Sequence, residues 1–290
     1  MDAKALTVLA LQVAIFATVF GYGLKATRED VLYLFQRPGL ALRSFLSVLV
    51  VMPVLVVAAI KIVDLPQATE VILVALAISP VPPLLLKRET KAGGHASYGV
   101  ALMLVLGVAA IVAVPLALGV LQHVFDRSLA ISPLAVAKIV GILVVCPLLA
   151  GLLLTGLLPS VSKLIEAPVR WSANGLLIAG ALVLLAGNWR AIGQAADGGT
   201  FLAVVAFICT GLLLGHLLAA RKADHAAVLG LATACRHPGI ALAVAAANFP
   251  GQAFVGTLLL YLLASLVLCI PFVRWERSRV AAELRASRGT

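Results

Sequence analysis

Charged residues are scarce in this chain, since Asp, Glu, Lys and Arg make up only 12% of its 290 residues. A soluble domain carries about twice that share. Aromatic residues are also few, at 6%, whereas hydrophobic residues reach 62% and the mean hydropathy is +1.12. No soluble fold of this size could bury so much apolar surface. The composition therefore excludes a soluble enzyme and a nucleic-acid-binding protein, and it predicts an integral protein of a lipid bilayer.

Motifs for catalysis, metal binding and disulfide formation are also missing. The four cysteines, Cys146, Cys209, Cys235 and Cys269, all lie in apolar segments without a CxxC pair, and we expect them to be small buried side chains. No pair of carboxylates and no metal-ligand cluster falls within an apolar segment. We therefore predict no catalytic residue, no cofactor and no metal site, which argues against an intramembrane hydrolase or a lipid-modifying enzyme.

Long apolar runs dominate the rest of the chain, and a bilayer core needs roughly 20 such residues per helix. Short loops separate the runs, so no soluble domain fits between them. The sequence predicts an all-α membrane protein with one transmembrane domain over residues 1–273 and a basic cytoplasmic tail over 274–290. The nine predicted spans are 5–24, 39–63, 68–87, 96–122, 133–158, 167–189, 199–220, 225–249 and 251–273.

The lysines and arginines are distributed unevenly between the two ends of these spans. Loops 1–2, 3–4, 5–6 and 7–8 and the C-terminal tail hold 16 of them, and the opposite end holds 5. Because positive loops stay in the cytoplasm, we expect a bacterial inner-membrane protein with its C-terminus in the cytoplasm and its N-terminus outside. The net charge of +10 thus reports topology rather than a nucleic-acid partner.

Two of the nine spans contain helix-breaking residues at matching places. Span 3 carries Ser79-Pro80-Val81-Pro82-Pro83, and span 8 carries Arg236-His237-Pro238-Gly239. If spans 1–4 and 6–9 are two inverted repeats joined by span 5, both breaks fall on the third helix of a repeat. Such paired breaks indicate the binding site of a secondary transporter. We expect a core of spans 3, 4, 8 and 9, a panel of spans 1, 2, 6 and 7, and a substrate site at Ser79, Pro80, Pro82, Pro83 and residues 236–239.

Arg236 lies near the bilayer midplane, where a charge costs at least about 2.5–3.5 kcal/mol. All twelve acids fall in loops, in the tail or at span ends, so we expect none of them to pair with Arg236. The hypothesis is that its guanidinium faces an anionic substrate, and that alanine there weakens binding without harming expression. The alternative is an arginine that snorkels to the membrane surface or packs against backbone carbonyls alone.

Other polar residues within the spans carry weaker signals. His237 could serve the substrate or a proton, or it could be a neutral hydrogen-bonded side chain. Asn174 and Tyr98 are further candidates for the substrate cavity. The pair Gly211 and Gly215 in span 7 predicts close helix packing rather than chemistry.

Several motifs together resemble the bile acid:sodium symporter family. Residues 232–243, ATACRHPGIALA, are similar to the second crossover motif of that family, E-x-G-x-Q-N-S-G-L-x-x-A-L-A. Residues 51–53, VMP, match the end of its Q-F-x-x-M-P motif, and Ser79-Pro80 falls where its C-P-G-G-x-x-S-N motif begins. The resemblance implies nine or ten helices, inverted repeats, two crossing broken helices and transport of an organic anion.

The departures from these motifs concern the sodium ligands that the resemblance implies. The motif glutamate falls on Ala232, the Ser-Asn pair on Leu85 and Leu86, and the glutamine of Q-F-x-x-M-P on Val48. Alanine, leucine and valine side chains offer no oxygen, and Arg236 stands in place of a second glutamine. Sodium coupling is therefore not expected, and a proton remains as the alternative coupling ion.

The sequence thus predicts a secondary transporter that moves a small organic anion by alternating access. A different class of function, a non-transporting sensor or channel-like relic on the same fold, stays open because the ion ligands are missing. Flux in proteoliposomes would separate these two.

Overall fold

A computed structural model describes residues 3–126, 128–219 and 222–288. Arg127 and Arg221, which enter the charge count above, lie outside the described residues, as does the end of the predicted tail at 289–290. The described part is helical and contains no β-strand. Its α-helices are α1 (Ala3–Gly23), α2 (Arg28–Leu32), α3 (Pro38–Phe45), α4 (Met52–Ile62), α5 (Gln67–Ile78), α6 (Leu86–Lys91), α7 (Ala96–Phe125), α8 (Pro133–Val140), α9 (Cys146–Leu157), α10 (Pro159–Ala195), α11 (Gly198–Leu218), α12 (Ala223–Ala234), α13 (Pro238–Asn248) and α14 (Val255–Arg288).

The number of membrane-crossing segments agrees with the prediction. Within the described ranges, eight helical segments are long and apolar enough to cross a membrane. A ninth arises if the bent pair Gln67–Ile78 and Pro83–Lys91 counts as one span. The prediction of an all-α integral membrane protein with about nine spans is therefore confirmed.

Proline shapes two further spans without breaking them. A π-helical turn, Leu46–Val51, joins α3 to α4 just before Pro53, and another, Gly141–Val145, joins α8 to α9 just before Pro147. Proline has no N–H to donate and its ring displaces the preceding turn. The widened turns absorb this local misfit, so each segment still runs as one span.

Two predicted helix boundaries are wrong. Apolar residues mark only the part of a helix that crosses the bilayer, whereas the helical hydrogen bonds continue beyond that part. The predicted loop between spans 5 and 6 is helical, since α10 begins at Pro159 immediately after α9 ends. Lys163 and Arg170 therefore lie on a helix rather than in a loop. Likewise, α14 continues from span 9 through the basic segment as far as Arg288.

The helices form two groups with most of their contacts inside each group, and the groups touch each other through α10 and α14 and through α7 and α8. The α1 group consists of α1 and α8–α10, and at Gly23 of α1 an added Cβ would touch the carbonyl oxygen of Leu148. The crossing group consists of α2–α7 and α11–α14. Within it the Ser47 hydroxyl bonds that of Thr233 at 2.7 Å, which ties the second span to the eighth.

The predicted division into a core of spans 3, 4, 8 and 9 and a panel of spans 1, 2, 6 and 7 stays a prediction. Spans 2 and 7 contact the two broken helices as well as each other. The expected connector, span 5, packs against α1 and α10. The reason is the small residues: Gly211 and Gly215 of α11 allow its backbone to approach α12 closely, as the sequence predicted, and Gly151 of α9 does the same toward α1.

Candidate functional site

The two broken helices meet at their interruptions. Helix α5 ends at Ile78 and the chain turns by 74° before the next helical segment, because Pro80, Pro82 and Pro83 cannot continue the ladder. Helix α12 ends at Ala234, and α13 begins at Pro238. The two breaks are joined directly, since the His237 amide donates to the Pro80 carbonyl oxygen at 2.8 Å. The predicted crossing of spans 3 and 8 is therefore present.

Arg236 is 1% exposed, and its guanidinium is held by three backbone carbonyls. Nε donates to Thr233 O at 3.0 Å, Nη1 to Ser79 O at 3.0 Å and Nη2 to Val48 O at 2.7 Å. Thr233 and Ser79 stand at the C-terminal ends of α12 and α5, where the helix dipole places negative partial charge. These contacts correspond to the alternative interpretation of Arg236, in which backbone carbonyls bind its guanidinium.

The residues beside Arg236 fix the backbone of the break. The Tyr261 hydroxyl accepts from the Arg236 amide at 2.7 Å and donates to Ala234 O at 2.9 Å. The ring nitrogen Nδ1 of His237 accepts from the Ile240 amide at 3.3 Å and so caps the start of α13. An accepting Nδ1 carries no proton, which corresponds to the neutral hydrogen-bonded histidine considered above.

A cavity of about 310 Å³ lies against this crossing. On one side it is lined by the α1 group, through Val8, Leu11, Gln12, Ile15 and Leu143. On the other side it is lined by the crossing group. Pro82 and Pro83, together with residues 236–239, bring most of the predicted site residues into one place. The cavity therefore lies between the two helix groups, at the place where the two broken helices meet.

A second arginine in this cavity was not predicted. Arg88 follows the first break and lines the cavity with Arg236. Its described contacts use Nη1 alone, which donates to Ser265 O at 3.4 Å and to Cys235 Sγ at 3.9 Å. Arg88 was predicted to lie in the basic loop between spans 3 and 4, because charged residues end the apolar run of span 3 there. Arg88 could have been recognised as a cavity residue from its position three residues after Leu85, because the broken span continues to Lys91.

Four predicted site residues do not line the cavity, and of these Pro80 contributes its carbonyl oxygen to the crossing. Asn174 of α10 accepts from the Lys87 ammonium at 3.0 Å, and the Tyr98 hydroxyl bonds Ser44 at 2.7 Å. Ser79 is buried and donates to Ala75 O at 2.6 Å, so only its carbonyl takes part in the crossing.

The placement of the acids at loops and span ends needs correction. Glu276 of α14 is completely buried and bonds His216 at 2.6 Å and Arg279 at 2.9 Å. Glu89 of α6 is only 3% exposed. In the described part of the chain, however, no carboxylate lies within 4.0 Å of Arg236. The cysteines are also divided, because Cys235 and Cys269 are buried whereas Cys146 and Cys209 are exposed on the helix surface.

The crossing does not fit a sodium ion. The side chains of Val48, Ala232, Leu85 and Leu86 are buried and supply no oxygen. The carbonyl oxygens of Val48, Ser79 and Thr233 face a guanidinium instead. Among the described residues, no cluster of three His, Cys, Asp or Glu side chains could hold a metal ion.

Comparison with known proteins places the chain in a family. Residues 12–195 match the model of the sodium bile acid symporter family, a family of transporters. The match ends before α11, so α12 and α13 with Arg236 lie outside it. None of the curated proteins compared with the chain matches it. With more than half of its length matched, and with two broken helices crossing at a cavity, this chain belongs to the sodium bile acid symporter family.

Proposed function

We propose that this transporter moves a small organic anion by alternating access, with the anion bound in the cavity at the crossing. The observation that carries the proposal is the position of that cavity between the α1 group and the crossing group. A site at the boundary of two packed bodies opens to one side or the other when the bodies rock. The site requires no domain outside the membrane.

The charge of the cavity selects an anion. Arg88 and Arg236 line it, and no aspartate or glutamate is among the described residues that do so. Arg236 spends three donors on carbonyls, so it contributes a fixed positive field. Arg88 has donors beyond Nη1 for a carboxylate or sulfonate, which a guanidinium can bind in a bidentate manner. We assign the direct contact with the anion to Arg88.

The size and walls of the cavity limit the rest of the substrate. A volume of about 310 Å³ stands at the low end of small-molecule sites, which range from about 300 to 1,000 Å³. The α1 group contributes mainly aliphatic side chains, Val8, Leu11 and Ile15. These features suit an acid with one anionic group and a compact apolar body. The uneven charge distribution supports insertion into a bacterial inner membrane with the C-terminus in the cytoplasm.

Thermal unfolding of the purified protein tests the binding step. Taurocholate, pantoate and α-ketoisovalerate would each be added as sodium and as choline salts, since a ligand stabilises by RT ln(1 + [L]/Kd). We expect stabilisation by at least one anion, independent of sodium. Arg88→Ala should weaken that binding roughly ten- to a hundredfold, the value of a charge-assisted contact. Arg285→Ala, at an exposed position of α14, is the matched control.

Counterflow in proteoliposomes tests transport and separates the alternative function. Vesicles loaded with the stabilising anion should take up a radiolabelled trace of it. Binding without counterflow would favour the sensor, which the missing ion ligands keep as a second candidate. Full binding and counterflow in Arg88→Ala would refute the assigned contact.

A further inference from the structure

One buried acid has no place in the function proposed so far. Glu89 of α6 follows Arg88 in sequence, but its side chain is 3% exposed and does not line the cavity. Within the described residues, no lysine, arginine or histidine nitrogen lies within 4.0 Å of its carboxyl group. A carboxylate buried without a cation is costly, and the usual way to remove that cost is to bind a proton.

The groups around this carboxyl are themselves uncharged in their protonated forms. Tyr22 of α1, Tyr98 of α7 and Cys235 at the end of α12 lie close enough to this carboxyl to interact with it electrostatically. From α14, the residue packed on the neighbouring turn is Val280, which meets Gly93. Proton uptake would therefore neutralise the Glu89 carboxylate, and among the described residues no Lys, Arg or His nitrogen lies within 4.0 Å to offset the change.

The space for the carboxyl is created by a glycine. An added Cβ at Gly99 of α7 would lie 2.5 Å from Glu89 Oε2. A side chain at this position would displace the carboxyl group, so Gly99 lets the acid lie against the α7 backbone. The missing side chain at Gly99 therefore provides the space in which the Glu89 carboxyl group is buried.

The acid is also connected to the cavity and to both helix groups. Cys235 interacts electrostatically with Glu89, and its Sγ accepts from Arg88 Nη1 at 3.9 Å. Tyr22 belongs to the α1 group, whereas α6, α7 and Cys235 belong to the crossing group. A relative movement of the groups would therefore change what covers the carboxyl at the same time as it changes access to the cavity.

We infer that Glu89 is a proton-binding site and that one proton travels with the anion, in place of the sodium ion for which the crossing has no ligands. The inference rests on the proposed function. In each cycle the Glu89 carboxylate takes a proton on one side and releases it on the other. A monovalent anion and a proton carry no net charge together, so uptake follows the pH gradient and is indifferent to the membrane potential.

The decisive variant is Glu89→Gln, which mimics the protonated acid permanently. In proteoliposomes, an inward proton gradient should stimulate wild-type uptake of the stabilising anion on the order of tenfold. Glu89→Gln should lose that stimulation while its counterflow stays within about twofold of wild type, because exchange needs no net proton movement. Glu29→Gln, at an exposed position of α2, should behave as wild type.

Three outcomes overturn the inference. They are a wild type with counterflow but no response to the gradient, a Glu89→Gln protein that keeps the response, and a response that follows a valinomycin-imposed potential. If Glu89→Gln is not monodisperse, Glu89→Asp replaces it, and an unchanged pH midpoint of stimulation then rejects the role of this residue.

An infrared titration of the ligand-free protein separates this inference from the proposed function. The difference between the titrations of wild type and Glu89→Gln should contain one carboxyl band that changes with pH, and Glu29→Gln should keep that band. If none of the anions shows counterflow, the proposed function fails, and this band alone decides whether Glu89 binds a proton. Its absence from wild type would reject the proton site.

Discussion

Arg236 shows how a midplane charge can be stabilised without an acid. Its three carbonyl partners belong to three different segments, at Val48, Ser79 and Thr233. Two of these carbonyls terminate helices, so the guanidinium neutralises two dipole ends while it joins them. The side chain thus acts as a structural crosslink between the second, third and eighth spans.

This arrangement changes the result expected from substitution of Arg236. Arg236→Ala leaves three buried acceptors without a donor, and each unsatisfied buried acceptor costs about 1–3 kcal/mol. We expect a lower unfolding temperature for the ligand-free protein, measured by nanoscale fluorimetry. Arg236→Lys should recover only part of the loss, because an ammonium group lacks the planar fork.

The control for this experiment is Arg43→Ala, which removes an exposed arginine from the same span as Val48. It should leave the unfolding temperature and the size-exclusion profile unchanged. An equally stable Arg236→Ala protein that fails to bind the anion would instead support the original hypothesis of a substrate-facing guanidinium.

At the scale of the elements, glycine determines how the broken helix α12 is held. On α11, an added Cβ at Gly215 would touch the carbonyl oxygen of Leu229, and at Gly211 it would lie 2.5 Å from Ala234 Cα. Ala234 is the last residue of α12, two positions before Arg236. The α11–α12 contact therefore sets where the second break lies in the membrane.

Gly215→Ala should destabilise the protein because backbone atoms cannot move aside as a side chain can. We expect a lower unfolding temperature and weaker anion stabilisation, since the displaced α12 carries the break with it. Gly119→Ala in α7 is the matched control, because an added Cβ meets nothing within 4 Å there. It should be neutral or stabilise by about 0.5–1 kcal/mol. Identical effects of the two substitutions would show that the close contact does not matter.

The elements also show what the sequence could and could not predict. The breaks were predictable because the cluster Pro80, Pro82 and Pro83 and the pair Pro238-Gly239 cannot continue a helix, whereas a single proline such as Pro53 only distorts one. The partners of Arg236 were not, because every residue has a carbonyl and only the fold decides which ones meet. Glu89 and Arg88 were missed for a related reason, since the largely charged segment from Lys87 to Lys91 ends the apolar run by which span 3 was predicted.

At the scale of the whole molecule, the two helix groups predict which contacts must slide during transport. Helix α7 of the crossing group meets α8 of the α1 group at Gly107, where an added Cβ would lie 3.5 Å from Val140 Cγ1. Within the α1 group, Gly21 of α1 faces Val169 of α10 at 3.9 Å by the same measure. The first contact spans the moving boundary and the second does not.

Paired cysteines can test this division. In a background with Cys146 and Cys209 replaced by serine, oxidation of Gly107→Cys/Val140→Cys should abolish counterflow, and a reductant should restore it. The pair Gly21→Cys/Val169→Cys should crosslink with little loss of counterflow. Mass spectrometry would verify both bonds. If the first pair stays active when crosslinked, the α1 group and the crossing group do not move as separate bodies.

The Arg236 guanidinium, where α5 and α12 meet, also differs from a dissolved cation because its presence at the site does not depend on an ion concentration. A dissolved cation fills its site only as far as its concentration allows, whereas a covalently attached one is present at a constant effective concentration. The crossing therefore keeps its positive charge on both sides of the membrane and at every stage of the cycle. A carrier of this design draws no work from an ion gradient at that position, and its broken helices stay joined in dilute surroundings that would empty an exchangeable site.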